Sequence, residues 1–285
     1  MKPNNLFLKL PKTFWASVRL ISQEVGYTQR KTKQIKIPTN LEINTKLGKL
    51  NINFDHLQAQ NINSGNLGDL LHDYFSYRAD ILNNYVEPRL MNATKARKVF
   101  KKLFKELQPS CPIPMNKQKG KMKMPAYLTG LVNMLVEANS NGLPCDYDPH
   151  QLTTATRDDF PIRTFARRVD GAFPSSINPI AIWEIKEYYY TTTFGSRVAD
   201  GVYETLLDGL EIEELREHEN IDIKHYLVVD AHETWWKQGK SYLCRIFDML
   251  HMGYIDEVLF GHEVVERLPD IVAEWVEIYQ SRLNK

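Results

Sequence analysis

In the run IAIWEIKEYY, Glu184 and Lys186 stand two residues apart. On a β-strand residues i and i+2 share a face, so a carboxylate and an ammonium project together while Trp183 and Ile185 project the other way. Upstream, RRVDGAF carries Asp170, and the turn residues PSSINP separate the two runs. The strands are therefore expected to pair as a hairpin that sets Asp170 against Glu184. Two carboxylates held that close repel, and one pKa rises unless a cation neutralises them. Mg²⁺ suits such a pair, because it takes one or two carboxylates and completes its shell with water and phosphate oxygens. It lowers the pKa of a bound water and offsets charge developing on phosphorus, which is what phosphodiester hydrolysis needs. On this reading Asp170 and Glu184 are metal ligands and the Ile185 carbonyl is a further one. Lys186 orients or helps deprotonate the attacking water and adds positive charge beside the scissile phosphate.

The elements that must hold these residues follow from apolar periodicity. A helix is predicted from Tyr127 to Ala138, then a loop rich in Asp and Pro, then the two strands. A helix through RVADGVYETLLDGL, a strand HYLVVDA, a helix SYLCRIFDMLHM, a strand YIDEVLFG and a helix from Asp270 to Leu283 follow. The order α-β-β-α-β-α-β-α describes an α/β fold, a mixed sheet with helices on both faces. Ahead of it, Phe14 to Glu24 reads as a helix stopped at Gly26, and LEIN and KLNINF read as short strands joined at Gly48. LGDLLHDYFSYRADILNNYV is a helix ending near Pro88, and Lys95 to Leu107 is a helix with six basic residues off its apolar face. That helix can lie along a phosphate backbone. PSCPIPMNKQKGKMKMP, with four prolines and four lysines, reads as a linker or mobile arm. VRLISQEVGYTQRKTKQIK has the order of a helix-turn-helix, with Gly26 at the turn.

A net charge of +1 conceals a division. Residues 1 to 125 hold 22 Lys+Arg against 8 Asp+Glu, a balance of +14, and residues 126 to 285 hold 14 against 27, a balance of −13. The expected organisation is a basic DNA-binding segment, 1–125, before a catalytic domain, 126–285, because phosphates recruit Lys and Arg and a cation site recruits carboxylates. Arg30, Lys31, Lys33, Lys36, Lys117, Lys119, Lys121 and Lys123 are the expected DNA contacts. Three scattered cysteines give neither a disulfide framework nor zinc-ligand spacing. No apolar run reaches the length of a membrane span or resembles a secretion signal, so a cytoplasmic protein without a membrane partner is expected. His225, His232, His251 and His262 show no ligand spacing, and no phosphate-cradling glycine motif occurs.

Asp170, a gap of thirteen residues, then Glu184-Ile185-Lys186 behind the apolar run IAIW resembles the PD-(D/E)xK nuclease core, over roughly residues 127 to 230. Val169 stands where the motif has proline. The resemblance implies a restriction-endonuclease-like fold, Mg²⁺ at Asp170 and Glu184, and Lys186 as the water-activating lysine. An acidic residue on the preceding helix often assists in that family, and Glu137 fits the position; Glu204, on the following helix, reads as surface. Without a motor motif, the chain resembles a type II restriction enzyme acting on double-stranded DNA as a homodimer, with a cognate DNA methyltransferase implied by family habit. A repair, modification-dependent or phage-defence nuclease, or an inactive DNA-binding regulator, are the alternatives.

Overall fold

The computed structural model describes residues 1–29, 31–52, 61–62, 65–190 and 195–284. Helices α1 (Asn5–Leu8) and α2 (Lys12–Val25) open the chain, and α2 buries Phe14, Trp15, Val18 and Ile21 as its spacing predicts. It stops at Gly26, whose φ of +94° and backbone N–H to the Ser22 carbonyl suit a glycine stop. The expected helix-turn-helix is not formed. Thr28 bridges antiparallel to Ile35 and the Lys36 N–H donates to the Tyr27 carbonyl at 2.9 Å, so a looped hairpin follows Gly26 where a second helix was expected.

The strand expected in LEIN is also overturned: Asn40–Gly48 is helix α3. The Thr39 hydroxyl accepts from the Glu42 N–H and the Glu42 carboxylate accepts from the Thr39 N–H at 3.1 Å, a reciprocal cap that settles the start of a helix. Ile43 and Leu47, both buried, are spaced i and i+4, so the alternation in LEIN is a fragment of a helical stripe. The end of KLNINF lies outside the described residues. A two-stranded ribbon, β1 (Asn61–Ile62) and β2 (Gly65–Asn66), leads into α4 (Leu67–Ile81), which continues through a π-turn, Leu82–Val86, and a single turn, Glu87–Arg89.

Next come α5 (Ala93–Leu107), α6 (Tyr127–Asn139), β3 (Asp146–Tyr147), a separate hairpin of β4 (Thr154–Arg157) and β5 (Phe160–Thr164), then β6 (Gly171–Phe173) and β7 (Ala181–Glu187). Helix α7 (Ser196–Glu219), β8 (Lys224–Asp230), α8 (Lys240–His251), β9 (Glu257–Phe260) and α9 (Glu263–Leu283) complete the chain. Among the described residues the main sheet has the order β3-β6-β7-β8-β9, antiparallel through β7 and parallel from β7 to β9. Parallel neighbours need long crossovers, which α7 and α8 supply. The fold is therefore mixed α/β, as the element order predicts. The linker-like segment 109–125 connects α5 to α6, and the two helices pack together. It closes on itself through Ala126 N–H to Pro114 O and Asn116 N–H to Met124 O.

Each face of the sheet has its own core. Trp183, Tyr226, Val228 and Leu259 pack with α6 and α9. On the other face Leu227, Val229 and Phe260 join α7, α8 and the N-terminal helices, with Phe14, Tyr74 and Phe75 in the same cluster. The N-terminal helices are tied in by charge as well: fully buried Arg78 on α4 donates to Asp248 on α8 at 2.9 Å, and the Tyr74 hydroxyl donates to the same carboxylate at 2.6 Å. Ile182, Ala172 and Val169 form a smaller cluster with Ile212 and Leu215 of α7. No helix among the described residues is long and apolar enough to cross a membrane.

Candidate active site at the end of strand β7

The expected hairpin of β6 and β7 is present, with Gly171 opposite Trp183 and Phe173 opposite Ala181. Asp-Gly at 170–171 is a strand start and not a turn. A Cβ at residue 171 would lie 2.1 Å from the Trp183 ring, so only glycine lets the indole cover this point of β6. The Asp170 N–H donates to the Trp183 carbonyl at 3.2 Å, and Asp170 Oδ2 accepts the Ile185 N–H at 2.7 Å. The side chain thus extends the ladder by one bond and is fixed beside Glu184. Because hydrogen-bonding direction alternates along a strand, the Ile185 carbonyl lies on the same edge of β7.

Glu184 is fully buried and Lys186 is 6% exposed, on the sheet face that packs on α7. Lys186 Nζ donates to Glu184 Oε2 and to Glu204 Oε2, both at 2.8 Å. Glu204, read from sequence as surface, is therefore part of this cluster. Helix α7 comes close enough because residue 201 is glycine: a Cβ there would sit 2.9 Å from the Tyr188 hydroxyl and 3.2 Å from Lys186 Cδ. Arg167 completes the network. Its guanidinium grips Glu184 with two bonds, Nη1 to Oε1 at 2.8 Å and Nη2 to Oε2 at 3.0 Å, and Nη1 also donates to Asp208 Oδ2 at 2.6 Å.

Four carboxylates, Asp170, Glu184, Glu204 and Asp208, thus face two cations, Arg167 and Lys186, leaving −2 when all are ionised. Burial, then the charge of Glu184, pushes the Asp170 carboxyl up to about 6 and the Asp208 carboxyl up to about 8. Burial also acts to raise Glu184, but Lys186 and Arg167 outweigh it and hold Glu184 below its ordinary value. Burial opposes the charge on Lys186, yet Glu184 and Asp170 raise it, so the ammonium stays protonated. Asp208 Oδ1 is buried without a hydrogen-bond partner.

The charge deficit and the all-oxygen donor set of Asp170, Glu184 and Glu204 in the groove wall fit a hard divalent cation in character. Among the described residues no group of three His, Cys, Asp or Glu side chains forms a ready cage. Both Glu184 oxygens are covered by Arg167 and Lys186, so an ion bound there exchanges with N–H donors. Asp170, Glu184 and Lys186 line a groove of about 800 Å³, with Arg167, Glu204 and Lys117 also in its wall.

Glu137 is not brought to the cluster. It lies at the far end of α6 and accepts from the Ser110 N–H at 3.0 Å and from the Ser110 hydroxyl. The carboxylate that meets α6 is Glu187, on the opposite face of β7 from Glu184. Its Oε2 accepts from Leu128 N–H at 2.9 Å and Thr129 N–H at 3.1 Å, in the first turn of the helix. Burial pushes its pKa up to about 7 despite those bonds. Lys119, Lys121 and Lys123 are exposed on the loop before α6, and Lys31 and Lys33 are exposed on the N-terminal hairpin. Lys36 pairs with Glu42 at 2.6 Å, and Arg30 lies outside the described residues. None of the described residues before Pro112 lines the groove.

Sequence reasoning missed Arg167, Asp208, Glu204 and Glu187. Asp208 had a signal: it interrupts the buried stripe Val198, Val202, Thr205, Ile212, Leu215 of α7, and Glu204 is one turn away from it. Arg167 had none beyond its nearness to Asp170 in the chain.

Residues 91–275 match the model of a family described as a domain of unknown function (DUF7687), and residues 1–85 match a second, domain of unknown function (DUF7690). The first match spans well over half of the chain, which therefore belongs to the DUF7687 family. The two matches meet between residues 85 and 91, at the turn Glu87–Arg89 that follows α4. No curated protein and no solved structure matches this chain.

Proposed function

We propose that the groove at the end of β7 is the active site of a Mg²⁺-dependent DNA endonuclease with a restriction-endonuclease-like core. The observation that carries this reading is the juxtaposition of Asp170, Glu184 and Lys186 on paired strands, in one groove and with an uncompensated negative charge. The helix, antiparallel strands, crossover helix and parallel strand that surround it support the same reading. Asp170 and Glu184, with the Ile185 carbonyl, would hold the ion, which supplies Lewis acidity and a water of lowered pKa. Lys186, kept protonated by Glu184 and Asp170, donates to the attacking water or the phosphate and offsets charge as it builds on the phosphoryl oxygens. Arg167 holds Glu184 in place through a planar two-bond grip and can share it with an incoming cation.

Cutting both strands of a duplex requires two such sites, so the proposed working form is a homodimer on double-stranded DNA. As a type II restriction enzyme in the cytoplasm it would act beside a cognate methyltransferase. The experiment is incubation of the purified chain with supercoiled plasmid and Mg²⁺, followed by sequencing of the termini. Wild-type protein is expected to linearise plasmid at fixed sequences, EDTA to stop it, and Lys186→Ala to lose about 10²–10⁴-fold in rate. Absence of any Mg²⁺-dependent nicking would favour a binding protein, and unchanged cleavage by Lys186→Ala would remove that residue from the site.

A further inference from the structure

The reactive cluster carries net negative charge and would repel a phosphate backbone, so the nucleic acid must be held by charges outside it. The chain concentrates those charges in one place. Residues 93 to 123 hold ten Lys and Arg against the single acidic Glu106. On α5, Lys95, Arg97, Lys98, Lys101, Lys102 and Lys105 are all exposed. Lys102 reaches Glu106 only at 3.9 Å, with both side chains exposed, a pair that contributes little. The loop between α5 and α6, closed by Asn116 N–H to Met124 O at 2.8 Å, adds exposed Lys117, Lys119, Lys121 and Lys123.

This strip meets the groove at Lys117, which stands in its wall. The first 85 residues hold 11 basic and 6 acidic residues, a thinner excess than the strip's ten against one, and four of those cations are paired. Arg78 is buried on Asp248, Lys36 pairs with Glu42, Lys12 with Glu213 and Lys2 with Glu274. We propose that the cationic face of α5 and the 114–126 loop form the track on which the backbone of duplex DNA lies as it enters the groove, and that the N-terminal lysines do not. The proposal rests on the nuclease reading of that groove.

Two features select the occupant. The helix would insert in a lipid surface by its apolar stripe, and the first half of that stripe is closed: Ala96 and Phe100 are buried on α6, with Phe100 packed on Tyr127 at 5.5 Å. Phe104 and Leu107, at the C-terminal end, are its exposed large apolar residues. A single strand would be held by stacking on aromatic side chains, and apart from Phe104 this strip has no exposed aromatic among the described residues. What remains is a row of solvated cations from Lys95 to Lys105, about 15 Å long on α5, suited to the regular phosphates of a duplex.

The test is fluorescence anisotropy with a short duplex in a salt series, without divalent ions, on an Asp170→Asn background. Charge reversal at Lys98, Lys101, Lys102 and Lys105, or at Lys117, Lys119 and Lys121, should weaken binding at least about tenfold and flatten the salt slope by about 0.9 for each phosphate no longer neutralised. Glutamine versions of the same variants should show a smaller loss of the same kind, and Lys31→Glu with Lys33→Glu should bind as the parent does. Unchanged affinity in the α5 variants, tighter binding of a single strand of the same sequence, or binding to phosphatidylserine vesicles in place of DNA would each overturn the proposal. Its failure is separable from failure of the nuclease reading. Loss of binding in the strip variants with no cleavage by wild type under any divalent ion would leave the track standing and the nuclease reading refuted, and the reverse pair of results would do the opposite.

Discussion

Glu184 and Glu187 are three residues apart on one strand and face opposite layers of the molecule, Glu184 buried and Glu187 half-buried at the groove wall. Glu184 is neutralised by the flexible cations Arg167 and Lys186, Glu187 by backbone N–H groups in the first turn of α6. The two environments push in opposite directions, Glu184 below its ordinary pKa and Glu187 up to about 7. Mobile counter-charges can be exchanged for a cation; helix N–H groups cannot leave without breaking the helix. One strand therefore carries a carboxylate suited to chemistry and another suited to holding α6 against the sheet.

The largest expected contrast is in catalysis. Glu184→Gln should lower cleavage by about 10²–10⁴-fold, while Glu187→Gln should keep it in the protein that remains folded. Equal losses in both would erase the distinction. Stability should separate the acceptor's role by a smaller amount. Glu187→Ala removes the acceptor that serves two backbone donors of α6 and should cost about 1–3 kcal/mol in urea unfolding, whereas Glu187→Gln keeps a carbonyl acceptor and should stay close to wild type.

The same contrast sets a pH dependence. Asp170, Asp208, Glu187 and Asp230 have folded-state pKa values raised to about 6, 8, 7 and 7. A raised carboxyl binds its proton more tightly in the folded than in the unfolded chain, so its contribution is full below the ordinary carboxyl range and is lost as pH rises through the folded value. Thermal stability without divalent ions should accordingly fall between pH 5 and pH 8, a window read from these shifts. Excess Mg²⁺ should recover the part due to the Asp170 cluster and leave the part due to Glu187 and Asp230. A flat profile would contradict the burial argument.

Strands β7 and β8, seven residues each, were legible because they are long enough to show their character, and the hairpin of β6 and β7 follows from the turn residues between them; β3 and the β4–β5 hairpin lie in the stretch read as a loop, where two to five residues carry no clear period. Asn40–Gly48 was misread because four residues of alternation look the same on a strand and on part of a helical stripe; Thr39 and Glu42, the capping pair, were the decisive letters. At the site, Asp170, Glu184 and Lys186 were readable because strand geometry joins near neighbours. Arg167 and Glu204 reach Glu184 or Lys186, and Asp208 reaches Arg167, through the packing of α7 and the turn before β6, and no local period encodes that. Glu137 shows the converse: its place on the preceding helix was foreseen, but it points to Ser110 at the end away from the groove.

The measurement that bears most directly on the account is a Mn²⁺ titration followed by electron paramagnetic resonance, comparing wild type with Glu184→Gln and Glu187→Gln. Saturable binding in wild type and Glu187→Gln, lost in Glu184→Gln, is the predicted result. Binding that survives Glu184→Gln undiminished would contradict the assignment of this cluster as a metal-dependent active site.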